Sequence, residues 1–260
     1  MQDELKIAFI QTDLAWENPK KNRKNFKEKM ESILTPVDII ILPEMFTTGF
    51  TMNAKDNFET MNGKTVEWMQ IHAKEKQAAI IGSIIIEDNR KYYNRLIVVY
   101  PDGTIEHYNK RHTFAYAGED KVYTCGNEKL IVDYKGWKLF PLICYDLRFP
   151  VWARNVDDYD ALIYVANWPK PRINAWDALL KARAIENMSY CIGVNRIGLD
   201  EEQNEYIGHS AVYDVLGNAM TTIKPNREQV EVVTLQKSHI NFYRNKLRFL
   251  NDKDSFSLVK

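Results

Sequence analysis

The chain has 260 residues, 45% of them hydrophobic, which is enough to build a sizeable core. Lysine plus arginine and aspartate plus glutamate each number 35, so the formal net charge is zero. That balance excludes a global electrostatic attraction to nucleic acid or to an anionic membrane. In chain order, MQDELKIAFIQTD begins with acids and enters a strand at 5–12, unlike a secretory signal. Asn18-Pro19 supplies an N-cap and a first-turn proline for a helix with Phe26, Met30 and Ile33 on its apolar side, and Thr35-Pro36 stops it. The lysines of this helix (20, 21, 24, 27, 29) alternate with Glu28 and Glu31, which reads as a solvated face rather than a nucleic-acid surface.

VDIIIL (37–42) is short enough for a buried strand, and a second helix over 64–77 sets Val66, Met69 and Ala73 on one side. AAIIGSIII (78–86), NRLIVVY (94–100) and TIEHY read as strands, with PDG (101–103) turning between the last two. A hairpin is expected around Lys135-Gly136, followed by a strand at 160–167 and a helix at 176–188. SYCIGVNR, IGHSAVYDV and QVEVVTL supply late strands. Mixed strand order with interleaved helices predicts an α/β fold whose sheets are covered by helices. No repeat or linker divides the chain, so one domain over 1–260 is expected, with the tail from about 236 the least defined part. No apolar run is long enough to span a bilayer, and three scattered cysteines make no disulfide framework. A reduced, cytoplasmic protein is expected.

Three polar residues share one setting. Glu44 follows IIIL with only Pro43 between, Lys110 follows TIEHYN, and Cys144 follows LFPLI directly. Ligand chemistry in α/β folds gathers at such carboxyl ends of strands. A thiol needs a base or a cation to act as a nucleophile, and the set provides both. Glu44 can carry the proton from thiol to leaving amine, and Lys110 can hold charge on a carbonyl oxygen. The N–H of Tyr145 can add a second donor if a helix starts there, and DLRFPVWAR (146–154) resembles a helix entry whose amino end favours both thiolate and oxyanion.

LPEMF (42–46), NKRH (109–112) and CYDLRFP (144–150) resemble the three motifs of the nitrilase, or carbon–nitrogen hydrolase, superfamily. The likeness extends through KRHTFAYAGEDKVYTCGNE, ANWPKPR and GHSAVYDVLGN to about residue 235, and is similar to the omega-amidase branch. The resemblance implies a four-layer α-β-β-α sandwich, a homodimer, and a Glu-Lys-Cys triad falling on Glu44, Lys110 and Cys144. It implies a supporting glutamate at Glu119, whose alternative is a surface carboxylate of a loop. The expected substrate is a short dicarboxylate monoamide such as α-ketoglutaramate or α-ketosuccinamate, with water as the second reactant and no metal or organic cofactor required.

Arg148, four residues past the thiol, can grip a carboxylate through two hydrogen bonds; alternatively it is a structural arginine paired with an acid such as Asp146. Trp168 and Arg172, in NWPKPR, are candidates to wall the pocket. His112 lies inside a motif and reads as a strut beside Lys110 rather than as the partner of a cysteine–histidine pair. Cys125 and Cys191 read as packing residues. No zinc spacing, HExxH or GxG pattern occurs. The same triad could instead serve a nitrile, a carbamoyl-amine or another aliphatic amide, and the same fold could be a silent scaffold.

Overall fold

A computed structural model describes residues 2–221 and 224–258. Strand β1 (Glu4–Gln11) leads through helix α1 (Pro19–Glu31) to β2 (Ile39–Ile41), then to α2 (Ala54–Asn57) and α3 (Lys64–Lys76). β3 (Ala79–Asp88), β4 (Lys91–Val99) and β5 (Ile105–Asn109) follow, and then the short α4 (Glu119–Val122). β6 (Val132–Tyr134) and β7 (Trp137–Ile143) precede α5 (Pro150–Ala153), β8 (Ala161–Ala166) and α6 (Ile173–Asn187). The chain closes with β9 (Tyr190–Asn195), β10 (Ile197–Leu199), β11 (Glu205–Ile207), β12 (Ala211–Tyr213), β13 (Gln229–Gln236) and α7 (Lys237–Leu247).

One sheet has the order β13-β1-β2-β3-β4-β5 and the other β12-β9-β8-β7-β6, while β10 and β11 form a separate ribbon. The alternation within the first sheet explains the layering, because both of its faces are apolar. Leu5, Ile7, Phe9, Ile39, Ile41, Leu96 and Val98 join the core shared with the second sheet. Ala8, Ile10, Ile40, Ile80, Ile97 and Val99 instead meet Phe26 and Met30 of α1 and Val66, Met69 and Ala73 of α3. On the far side, α6 packs Trp176, Leu180 and Ala184 into the core of the second sheet. Burying each large apolar side chain stabilises the sandwich by about 1.5–3 kcal/mol. Gly193 of β9 permits the close approach of α6, since a Cβ there would lie 2.4 Å from Leu180. The result is an α-β-β-α sandwich, as expected.

Three local expectations change. Helix α1 is capped by Asn18 as expected but ends at Glu31, where the N–H of Ser32 bonds back to Glu28 and Lys29, before Thr35-Pro36 is reached. IGHSAVYDV is not one strand: Gly208 and His209 take left-handed backbone (φ 79° and 59°), separating β11 from β12. No helix begins near Asp146. A 3-10 turn spans Cys144–Arg148 and the α-helix after it, α5, has four residues, because Pro150 cannot continue the turn's hydrogen bonding. The aligned dipole expected behind the thiol is therefore short.

Candidate active site

The three strand ends converge where the two sheets face each other. Glu44 lies past β2, Lys110 directly after β5 and Cys144 directly after β7. The Lys110 ammonium donates to Glu44 Oε1 at 2.9 Å and to both oxygens of Glu119 at 2.9 Å. All three side chains are buried. Glu119 heads α4 with its carboxylate turned inward, and accepts from the N–H of Phe114 at 2.5 Å. The alternative of a surface loop carboxylate is thereby overturned. Asn94 donates to Glu44 at 2.8 Å and to Glu119 at 3.3 Å, so one amide ties the two carboxylates together. Asn167, one residue past β8, donates its N–H to Glu44 Oε2 at 2.8 Å and its side-chain amide to the Glu44 carbonyl at 2.6 Å. Its own carbonyl lies 3.9 Å from Cys144 Sγ, which links the glutamate to the thiol.

Burial alone would lower the Lys110 pKa. The charges of Glu119 and then Glu44 outweigh that cost and hold it above the ordinary lysine value. Burial raises the Glu119 carboxyl, with Lys110 opposing. The Cys144 thiol is pushed well up by burial and by the negative Glu44, again opposed by Lys110. Burial and the neighbouring carboxylate thus favour the thiol over the thiolate. A thiol in this state needs a base to become a nucleophile, and the Glu44 carboxylate lies beside it. Cys144 also has a φ of 44°, a left-handed conformation costing an L-residue about 1–3 kcal/mol and typical of side chains aimed by a tight turn.

Cys144 and Lys110 open into a cavity of about 550 Å³ that also receives Tyr145, Arg148, Trp168 and Arg172. Arg148 lies over the Trp168 ring at 4.9 Å, and Arg172 over Phe114 at 5.1 Å. Neither has a carboxylate at ion-pairing distance among the described residues, although both are half-buried. The pairing of Arg148 with Asp146 is thus replaced: Asp146 bonds His112, Tyr108 and the N–H of Ile143. The indole N–H of Trp168 donates to the Arg172 carbonyl at 2.8 Å, so the tryptophan both packs and shapes the wall. Tyr145 sets its ring 4.9 Å from Phe114.

The sequence model of the family described as Carbon-nitrogen hydrolase matches residues 6–245. The chain belongs to this family. It is 40% identical to an omega-amidase YafV of Yersinia enterocolitica over 98% of this chain and 99% of that one. It is 32% identical to a 2-oxoglutaramate amidase of Bacillus subtilis over 82% and 84% of the two chains. A CN-hydrolase superfamily protein of Xanthomonas campestris, solved with an arsenic adduct in its active site, superposes with a TM-score of 0.97 at 40% identity, covering 100% of both chains. The chain is accordingly a hydrolase of carbon–nitrogen bonds other than peptide bonds.

Asn94 and Asn167 are not singled out in the sequence, and Asp146 is expected there only as a partner for Arg148. Each is a polar residue in or beside an apolar strand, and each is almost wholly buried. The signal was present, because a buried amide or carboxylate demands partners. The identity of those partners was not.

Proposed function

We propose that this hydrolase is an omega-amidase that releases ammonia from a short dicarboxylate monoamide of the α-ketoglutaramate or α-ketosuccinamate type. The observation that carries the reading is one cavity holding a thiol, a carboxylate-flanked lysine and two half-buried guanidinium groups without acid partners among the described residues. A guanidinium is matched by a carboxylate through parallel hydrogen bonds, so Arg148, with Arg172 on the same wall, would hold the acid end while the amide reaches Cys144. The Yersinia and Bacillus relatives bear the names omega-amidase and 2-oxoglutaramate amidase, which supports the same substrate class.

In this mechanism Glu44 takes the thiol proton as Cys144 attacks the amide carbon. Lys110 and the Tyr145 N–H stabilise the oxyanion, and such a donor is worth about 2.7–4 kcal/mol. Glu44 returns the proton to the departing nitrogen, and the C–N bond breaks to leave ammonia and a thioester. Water, deprotonated by Glu44, then cleaves the thioester, releasing the dicarboxylate and restoring the thiol. Glu119 keeps Lys110 charged and oriented. Every group is supplied by the chain, so the route requires no metal or organic cofactor. The proposal extends to a homodimer, on the family resemblance, and to a cytoplasmic location, on three scattered cysteines without a disulfide framework. Among the described residues no helix is long and apolar enough to cross a membrane.

The test is ammonia release from α-ketoglutaramate, a neutral amide of equal length and a nitrile, by the wild type and Cys144→Ala. Turnover confined to the acidic amide and lost in Cys144→Ala is expected. Equal rates on acidic and neutral amides remove the substrate assignment; turnover by Cys144→Ala removes the nucleophile.

A further inference from the structure

Asp146 sits two residues past Cys144 and takes no part in the reaction above, yet its buried carboxylate accepts four hydrogen bonds. Oδ2 receives the N–H of Ile143 at 3.0 Å and the hydroxyl of Tyr108 at 2.9 Å. Oδ1 receives the N–H of His112 at 3.0 Å and His112 Nδ1 at 2.7 Å, a nitrogen that carries its proton to bond a carboxylate. The donors fall into two groups. Ile143 ends β7 and caps the turn that aims the thiol, whereas Tyr108 and His112 stand two residues to either side of Lys110. The Tyr108 oxygen in turn accepts the N–H of Arg111 at 3.0 Å, so the whole 108–112 segment is gathered onto one carboxylate.

Each partner segment has anchors of its own, for the Lys110 N–H donates to the Asn94 carbonyl at 3.0 Å and the Lys110 carbonyl accepts from Gly126 at 2.8 Å, whereas Asp146 bonds to both segments at once. The left-handed Cys144 is a conformation that persists only when its surroundings over-determine it. The turn's far end is secured by Arg183, whose guanidinium donates to the Leu147 carbonyl at 2.6 Å, but that bond does not reach Lys110. His112 also stacks face to face on Phe149, with centroids 3.7 Å apart and planes 4° from parallel, which presses the lysine segment against the residue closing the turn. We propose that Asp146, acting through Tyr108 and His112, is a positioning residue that fixes Cys144 and Lys110 relative to each other. The proposal rests on the roles assigned above to those two side chains.

Three variants test it: Tyr108→Phe, which deletes one hydroxyl; His112→Phe, which keeps a ring on Phe149 but removes the nitrogen; and Asp146→Asn. Rates are measured on whichever amide the wild type hydrolyses fastest, so the substrate assignment can fail without affecting the result. Both phenylalanine variants should fold and lose about tenfold or more in kcat while KM stays within about threefold, since a small misplacement of reacting groups costs up to roughly a hundredfold. Asp146→Asn should lose at least as much; if it does not fold, the phenylalanine variants decide. A purely structural role would lower Tm and leave kcat of the folded enzyme unchanged. Wild-type kcat in either folded phenylalanine variant, or a loss confined to KM, overturns the proposal. Cys144→Ala is assayed alongside, and its retained turnover would instead expose a failure of the nucleophile assignment.

Discussion

Replacing Lys110 by methionine should damage stability and activity through one cause. The ammonium is held by Glu44 and Glu119, all three wholly or almost wholly buried, with oxygens at 2.9 Å. Removing the cation leaves two buried carboxylates joined through Asn94. Deleting one partner of a buried ion pair costs about 3–5 kcal/mol. At about 2–4 °C per kcal/mol for a domain near this size, Tm should fall by roughly 6–20 °C. The two acids cannot both ionise cheaply, so one holds its proton in the folded state. Burial already raises the Glu119 carboxyl, and loss of Lys110 removes the charge that opposed it. Its folded pKa then lies above the unfolded value of about 4.3. The folded state binds more protons, so stability is greatest below that unfolded value and falls as pH rises through the folded one. Lys110→Met should thus be more destabilised at pH 8 than at pH 5. Adding Glu119→Gln leaves a single carboxylate that keeps Asn94 and the Asn167 N–H, and should recover about 0.5–3 kcal/mol without restoring turnover. Denaturant melts at both pH values, with ammonia release measured in parallel, provide the assay. A single variant melting within about 2 °C of wild type, or a double variant less stable than the single at pH 8, would refute the electrostatic reasoning.

Glu44→Gln should abolish turnover although the thiol remains, because burial disfavours the Cys144 thiolate and a base must take its proton; near-normal rates in that variant would mean that another group is the base. Iodoacetamide inactivation should track modification of Cys144, protected by substrate, while the exposed Cys125 can be replaced by serine without loss and the buried Cys191 stays unmodified until unfolding. Peptide mapping that finds inactivation with Cys144 intact counts against this. Arg148→Lys should lose about 10–100-fold in kcat/KM on the acidic amide, the equivalent of a charged hydrogen bond of about 1.5–3 kcal/mol, and little on a neutral amide of equal length. Parallel losses on both substrates would make Arg148 a support for Trp168 instead. Sedimentation at micromolar concentration should show a dimer, and a species of 30.5 kDa alone would remove that part of the proposal.

The sequence by itself indicated sheets covered by helices and three polar groups at strand ends, and the family resemblance added the four-layer order. Runs such as IAFI and IIIL are apolar at every position, which suits strands covered on both faces, and the amphipathic spacing of Phe26 and Met30 set the helix that covers them. Glu44, Lys110 and Cys144 were legible because a strand followed within a few residues by an ionisable group repeats three times within motifs of fixed order. What only the tertiary structure decided was pairing. That Glu119 turns inward, that Asp146 bonds His112 rather than Arg148, and that Arg148 rests on Trp168 all depend on contacts between residues from 9 to 34 positions apart. A buried polar group must find a partner, but its sequence neighbourhood does not say which one. The shape of the turn at Cys144 was likewise set by tertiary context: Leu147, beyond the thiol, is held from α6 by Arg183, and Asp146 is held from β5 by Tyr108. Local propensity in DLRFPVWAR suggested a longer helix, and these distant hydrogen bonds together with Pro150 held it to one 3-10 turn and a four-residue helix.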